Sequence, residues 1–297
     1  MEALGLFAAL LSSALGGTAI VATRYLAGTL DPLTIGTVRF GGGFAILMLL
    51  ALRERERWPS RADWPGAAGL GLLFFGLFPV LFNTALIFTT AARGALALST
   101  LPLLTMLAAA ALRVEPLSLR KTLGVLVAMA GVALALGTSL TAAPPGAWRG
   151  DLIMVAAALC MALYSVWSRP FIGRSAPVPF AAFGMGVGAA CLLTISAAKG
   201  GITALSGLNG PQWLAATYLA IVCGALIFFL WAFALGRTTP TLVAISVAVN
   251  PVTAALLAVP LLGEPISANL IGGLIGVVAG IAIASRSGTR PASSQSG

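Results

Sequence analysis

The chain has 297 residues, of which 59% are hydrophobic and 8% are charged, whereas charged residues make up about 25% of a soluble domain, so the composition predicts a membrane protein. The net charge is +9, but no basic stretch outside the apolar segments is interleaved with aromatic residues, so we do not expect a nucleic-acid partner. The chain lacks histidine and its three cysteines lie in apolar runs, so we expect no disulfide, no metal site and no cofactor.

Ten apolar runs along the chain are long enough to cross a bilayer as helices, which takes about 20 residues each. In chain order they cover residues 4–25, 33–52, 65–89, 94–112, 119–138, 151–171, 179–198, 212–235, 241–262 and 267–285. If both termini are cytoplasmic, 12 of the 17 basic residues fall in cytoplasmic loops and the tail, 4 fall outside, and Arg39 lies within the second run. Because basic residues favour the cytoplasmic side, we predict a multi-pass protein of the cell (inner) membrane with both termini in the cytoplasm.

The second half of the chain repeats the first. The segment 115–118, Glu-Pro-Leu-Ser, recurs 149 positions later as Glu-Pro-Ile-Ser at 264–267, and the same offset places Pro102 on Pro251. Each unit holds five spans, an odd number, so the second unit is predicted to lie upside down relative to the first. Inverted repeats are typical of transporters, in which one central site opens to each side in turn. The predicted organisation is a first repeat at 1–140, a linker at 141–150, a second repeat at 151–286 and a disordered Ser-rich tail at 287–297.

An apolar run, then Glu-Pro-x-Ser, then a closing helix studded with glycine stands at 262–280 and again around Glu115. This pattern resembles the EamA repeat of the drug/metabolite transporter superfamily, although the first copy has Val114 where the second has Gly263. The resemblance covers nearly the whole chain. It implies ten membrane-spanning helices and export of small metabolites from the bacterial cytoplasm. Within that superfamily the chain looks most like the YddG-type exporters of aromatic and other neutral amino acids.

The Glu-Pro element has two interpretations. The proline biases the preceding glutamate toward extended backbone and so ends the helix, which makes Glu115 and Glu264 parts of a cap and turn. In an inverted pair, Glu115 would lie at the cytoplasmic face and Glu264 at the outer face, where each could form part of a gate. We favour the cap and turn.

Pro102 and Pro251 lie at matching positions in the fourth and ninth spans. A proline inside a helix frees the carbonyl four residues before it, here that of Leu98 and of Val247. Lipid cannot satisfy a free carbonyl, and paired interruptions in two repeats indicate a site at the middle of the membrane. The alternative is a packing kink shared by duplication alone. The polar neighbours predicted to line the site are Ser99, Ser246 and Asn250.

Further candidates for substrate binding are the aromatic and amide residues of the third, sixth and eighth spans. They are Phe78, Phe82, Asn83, Tyr164, Trp167 and Trp231. An aromatic stripe is more often packing or lipid contact than a substrate site, whereas a polar group deep in hydrocarbon needs a partner. Arg39 lies about two turns from the outer end of its span. We favour snorkelling to the interface or a structural bond to a carbonyl, with contact to a substrate carboxylate or a gate as the alternative.

All eight acidic residues fall in loops or at span ends, so no carboxylate is expected at mid-membrane. A proton-driven antiporter usually needs a buried titratable relay, which favours facilitated export of neutral or zwitterionic solutes. Export of drugs, nucleosides or sugar derivatives, or proton-coupled antiport, remains as an alternative. An intramembrane enzyme is not expected, because the sequence has no histidine base and no embedded aspartate pair. The expected partners are a small-molecule substrate and the lipid bilayer, with a monomer as the default state.

Overall fold

All regular secondary structure in the part of the chain that the structure describes is helical. The structure is a computed structural model, and it describes residues 2–53, 57–89, 91–136, 145–250, 252–253, 256–257 and 268–285. The main helices are α1 (Glu2–Leu26), α2 (Pro32–Arg53), α3 (Trp64–Phe88), α4 (Ala91–Leu98), α5 (Leu101–Ala111), α6 (Leu119–Leu136), α7 (Ala147–Trp167), α8 (Pro177–Ala198), α9 (Gly210–Leu235), α10 (Pro240–Ser246) and α11 (Ala268–Ser285).

Six of these helices are long and apolar enough to cross a membrane: α1, α2, α3, α8, α9 and α7 together with the short helix Arg169–Arg174 that continues it. They match the first, second, third, sixth, seventh and eighth predicted spans. The sixth begins at Ala147, four residues before the predicted start. The chain is therefore a polytopic membrane protein. The count of ten spans, their inversion and the cytoplasmic termini stay predictions.

Two predicted spans are interrupted near their middle. The fourth consists of α4 and α5, which a turn at Ser99 and Thr100 separates, and Pro102 is the second residue of α5. The ninth begins with α10, which gives way to a turn at Val247 and Ala248. The two breaks occur at corresponding places in the two predicted repeats. Pro251 itself lies outside the described residues, as does Glu264.

Two π-helical segments occur inside long helices, Leu72–Leu77 in α3 and Leu219–Leu226 in α9. Each packs against glycine on a neighbouring helix. A Cβ atom on Gly43 of α2 would lie 2.6 Å from the backbone carbon of Gly224, and one on Gly188 of α8 would lie 2.5 Å from that of Phe75. Small residues let helix backbones approach this closely, and π segments of this kind are frequent at functional sites.

Aromatic rings fill the centre between α2, α3, α7 and α9. Phe74 stacks on Tyr164 with ring centroids 4.2 Å apart, and Phe40, Phe75 and Phe228 meet one another at centroid distances of 5.3 to 5.7 Å. Such pairs prefer tilted or edge-on arrangements, as several do here. The cluster fixes the relative positions of the helices that surround the candidate site.

Candidate functional site

A cavity of about 50 Å³ lies among helices from both predicted repeats. Its lining residues are Ser12, Ser13, Gly16, Ala19, Ile20, Arg39, Phe78, Phe82, Leu98, Met161, Ile227, Phe228, Trp231, Val247 and Asn250. This volume holds a few water molecules and is small beside the roughly 300–1,000 Å³ of ligand pockets. Binding of a metabolite therefore requires the surrounding helices to move apart.

Arg39 contributes the positive charge of this cavity. Its side chain is only 6% exposed, and its Nε donates a hydrogen bond to the carbonyl of Cys223, 3.2 Å away in the π segment of α9. The guanidinium carbon lies 5.2 Å from the ring centroid of Phe40 and 5.5 Å from that of Phe228. The interpretation as a snorkelling side chain does not fit this interior position, whereas the bond to a carbonyl is present.

Asn250 and Trp231 carry polar atoms without a hydrogen-bond partner in the described structure. Asn250 is 7% exposed and its Oδ1 is unpaired, while Trp231 is 2% exposed and its indole Nε1 is unpaired. Gly16 of α1 makes room for the amide, because a Cβ there would lie 2.8 Å from Asn250 Nδ2. A buried polar atom without a partner costs about 1–3 kcal/mol. Two of them around one cavity indicate a place where a ligand or water completes the bonding.

Apart from Ser12 and Ser13 of α1, the remaining wall of the cavity is formed by apolar side chains and Gly16. Phe78 and Phe82 line it from α3, and their rings lie 5.5 Å apart. Leu98 and Val247, the residues whose carbonyls the two prolines were predicted to free, also line it. The Val247 carbonyl is not free, however, because it accepts a 2.9 Å hydrogen bond from the backbone N–H of Asn250.

Two predicted polar residues serve as links between helices outside this cavity lining. Asn83 Nδ2 donates to the carbonyl of Pro32 at 2.9 Å, which ties α3 to the start of α2. Ser246 Oγ lies 2.8 Å from Ser13 Oγ and joins α10 to α1. Their polar groups find partners within the protein, as buried groups must, so neither is positioned in the lining to contact a solute.

Three further predicted residues also lie away from the cavity lining. Tyr164 packs its ring in the aromatic cluster, and Ser99 is buried in the turn between α4 and α5. Trp167 is 42% exposed and lines an open groove of about 520 Å³ between α3 and α7. The groove is otherwise formed largely by apolar side chains and glycine, so Trp167 faces the surroundings of the protein.

Glu115 does more than end a helix. It is buried, its Oε2 pairs with Lys121 Nζ at 2.5 Å, and its Oε1 accepts a hydrogen bond from the backbone N–H of Thr241 at 3.3 Å. Thr241 belongs to α10, so the carboxylate connects the first predicted repeat to the interrupted helix of the second. A similar connection joins Asp151 of α7 to Thr89, 2.8 Å away, and to Arg93 in an ion pair.

Sequence reasoning missed the contribution of α1 and that of Phe228. Ser12, Gly16 and Ile20 recur at four-residue spacing, so they form one stripe along the helix. The small residues Ser12 and Gly16 on one stripe of an apolar span are a signal for a face that packs against other helices. Phe228 carries no comparable signal, because it stands among several apolar residues of α9.

Comparisons with known proteins place these features in a family. The sequence pattern of the EamA-like transporter family matches residues 3–137 and again residues 148–286. The chain is 24% identical to the uncharacterized transporter YyaM of Bacillus subtilis, over 88% of this chain and 87% of that one. It is 32% identical to an uncharacterized protein of Pseudomonas aeruginosa, over 82% of this chain and 80% of that protein.

Two further similarities extend this result. The chain is 26% identical to a probable terminal-alkyne amino-acid exporter of Streptantibioticus cattleyicolor, over 77% of this chain and 76% of that protein. A solved crystal structure superposes with a TM-score of 0.74 at 25% identity and covers 96% of both chains. The family pattern accounts for almost the whole sequence, and the chain belongs to the EamA-like transporter family.

Proposed function

We propose that this membrane transporter exports small neutral or zwitterionic metabolites, with aromatic and other neutral amino acids as the leading class. The observation that carries the proposal is the cavity among helices of both predicted repeats. Trp231 and Asn250, which carry unpaired polar atoms, line it together with apolar side chains such as Phe78. That combination suits a solute with one polar end and one apolar end. The relative that is a probable exporter of a terminal-alkyne amino acid supports the same class.

Alternating access is the proposed mechanism. The predicted inversion of the two repeats and the interrupted helices beside the cavity support it. The Glu115 cluster, with Lys121 and Thr241, would close the cytoplasmic side, and the Asp151 cluster would close the outer side. Glu115→Ala should then increase labelling of a cysteine introduced at Leu98 by an impermeant reagent on the cytoplasmic side. Unchanged labelling would make the cluster a static helix contact.

Transport without ion coupling is the proposed energetics. No Asp or Glu is among the residues that line the cavity in the described structure. Without such a group, a proton relay of the usual kind has no place at the site. Flux in liposomes that depends on an imposed pH gradient would replace the facilitator with a proton-coupled antiporter.

The test is counterflow of radiolabelled amino acids into proteoliposomes that contain the purified full chain, without any ion gradient. Trp231→Phe removes one N–H at the cavity, and Trp167→Phe makes the same change in the open groove between α3 and α7. We expect Trp231→Phe and Asn250→Ala to lower uptake at limiting substrate about tenfold, since each removes one hydrogen bond. Trp167→Phe should leave uptake unchanged.

Each outcome has a distinct meaning. An equal loss of uptake in Trp231→Phe and Trp167→Phe would mean that the cavity has no specific role in transport. If the wild type moves no amino acid but moves drugs, nucleosides or sugar derivatives, the export function stands and its substrate class changes. If it moves no solute at all, the proposed function fails.

A further inference from the structure

Arg39 is a buried cation whose described partners are all neutral. It bonds to the Cys223 carbonyl and lies near the rings of Phe40 and Phe228, and none of the ion pairs in the described structure includes it. A charge held away from water is costly unless an opposite charge or several strong hydrogen bonds compensate it. The protein keeps this charge on the wall of its central cavity.

The guanidinium retains most of its bonding capacity. Of its five N–H donors, the one on Nε is used by the Cys223 carbonyl, and no hydrogen bond is made by Nη1 or Nη2 in the described structure. The planar arrangement of those donors matches the two oxygens of a carboxylate. The Nη1 and Nη2 atoms of Arg39, with which arginine usually binds a carboxylate, are therefore available to a ligand.

The backbone around Arg39 holds it in place. Gly224 of α9 comes so close to the Arg39 carbonyl that a Cβ atom on Gly224 would overlap it, and Gly43 packs on the same glycine one turn further along α2. The π segment that presents the Cys223 carbonyl starts at Leu219. Because α2 packs closely on α9 and the Nε of Arg39 bonds to α9, the side chain is oriented before any ligand arrives, which reduces the entropy lost on binding.

We propose that Arg39 binds the carboxylate of the transported solute, so that the substrates are carboxylates, and α-amino acids in particular. Trp231 contributes a second donor through its indole N–H, and the unpaired Asn250 Oδ1 accepts from the ammonium group. The rings of Phe78 and Phe82 contact the apolar side chain. This inference rests on the proposed export function and specifies the chemistry of its site.

Binding to the purified full chain tests the inference without transport. Leucine and leucinamide differ in the carboxylate, which the amide replaces with a neutral group. We expect leucine to bind at least tenfold more tightly than leucinamide to the wild type, in a calorimetric titration or by ligand-induced thermal stabilisation. Equal affinity for the two compounds, or no binding of leucine or of any other amino acid, would overturn the inference.

Variants then assign the preference to Arg39. Arg39→Gln should weaken leucine binding about 10- to 100-fold, the range for a hydrogen bond to a charged group, and leave leucinamide binding nearly unchanged. Arg39→Lys should recover part of the preference, because it keeps the charge and loses the planar fork. The control is Arg174→Gln, which removes an arginine outside the cavity. Retention of the full preference in Arg39→Gln would overturn the assignment.

The two proposals can fail separately. If leucine binds through Arg39 but no solute crosses the liposome membrane, the export function fails and the carboxylate site stands. If amino acids and their amides are transported equally well, export stands and the carboxylate site fails. If Arg39→Gln does not fold, the comparison of leucine with leucinamide in the wild type and in Arg39→Lys decides.

Discussion

Two helix contacts at the centre of the molecule have the same construction and different chemistry. In the first, α2 packs on the π segment of α9 through Gly43 and Gly224, and in the second, α8 packs on the π segment of α3 through Gly188 and Phe75. The offset of 149 between the two halves relates Phe75 to Gly224. For the first two spans of each half the offset is 145, which relates Gly43 to Gly188. The position of Arg39 in the first contact corresponds to Gly184 in the second.

The ends of the two contacts show the opposite distribution of charge. At the end of the first, Gln212 Nε2 donates to Thr29 Oγ1 at 2.8 Å, a neutral bond. At the corresponding end of the second, Arg174 Nη2 and Asp63 Oδ1 form an ion pair at 2.6 Å. The first contact thus has its charge, Arg39, at its centre, whereas the second has its charges, Arg174 and Asp63, at its end. A duplicated arrangement of helices can therefore keep its packing while only one copy acquires a buried charge at its centre.

The largest effect on stability is expected from adding a side chain at the glycines where the helices touch. A Cβ on Gly43 or Gly188 meets backbone atoms, which cannot move away as a side chain can. Gly43→Ala and Gly188→Ala should each lower the free energy of unfolding by about 1–3 kcal/mol, as overpacking does. Thermal unfolding in detergent measures this.

Gly41→Ala is the matched control for those variants, because a Cβ on Gly41 meets no atom within 4 Å. It should unfold at the wild-type temperature. If Gly188→Ala were also harmless while Gly43→Ala was not, the two contacts would not share one construction.

A smaller loss of stability, or none, is expected from removing the charge of the first contact. Arg39→Met keeps the length of the side chain and removes the buried ion. Replacing buried ions by apolar residues is often neutral, or stabilising by about 1–4 kcal/mol. Arg39→Met should therefore unfold no earlier than Gly43→Ala. An unfolding temperature below that of Gly43→Ala would mean that Arg39 is needed to hold α2 against α9.

The smallest effect on stability is expected from the polar pairs at the ends of the two contacts. Only the ion pair of Arg174 with Asp63 should contribute a stability that depends on pH. The hydrogen bond from Arg174, followed by that from Ser60, holds the pKa of Asp63 below its usual value. Because folding lowers this pKa, the ionised form stabilises the folded state above the unfolded pKa of about 3.9, and the contribution disappears as pH falls through the lowered folded pKa.

The measurement is the unfolding temperature of Asp63→Asn and of Thr29→Val as a function of pH. The small loss in Asp63→Asn should be present at pH 7 and vanish in acid, whereas any loss in Thr29→Val should not depend on pH. If the unfolding temperatures of the two variants changed in the same way with pH, the ion pair at Asp63 would contribute no more than the neutral hydrogen bond at Thr29.

The positions of the long helices could be predicted from sequence because they follow from the lengths of apolar runs and the positions of proline. Apolar runs identify six long helices within a few residues of their ends, and Pro102 indicates the interruption between α4 and α5. The cavity residues Phe78, Phe82, Trp231 and Asn250 were predicted from their depth in the spans and their relation to the paired prolines. These are properties of single helices and of the repeat.

The remaining features depend on which helix packs beside which. Asn83 and Tyr164 were expected at the site because polar groups deep in a membrane need partners, and Asn83 finds its partner in the carbonyl of Pro32 while the Tyr164 ring packs on Phe74. Ser13 reaches the cavity because α1 packs against α9 and α10. No periodicity within one span contains that information.

The fixed position of Arg39 has a consequence for the membrane potential. Moving one elementary charge across 100 mV is worth about 2.3 kcal/mol. In the proposed mechanism the amino acid crosses as a zwitterion without net charge and the guanidinium that binds it stays in place, so the potential would neither drive nor oppose its export. A fixed positive charge on the pathway also disfavours small cations. The empty transporter would thereby resist leakage of protons and sodium ions, which a cell that depends on its ion gradients requires.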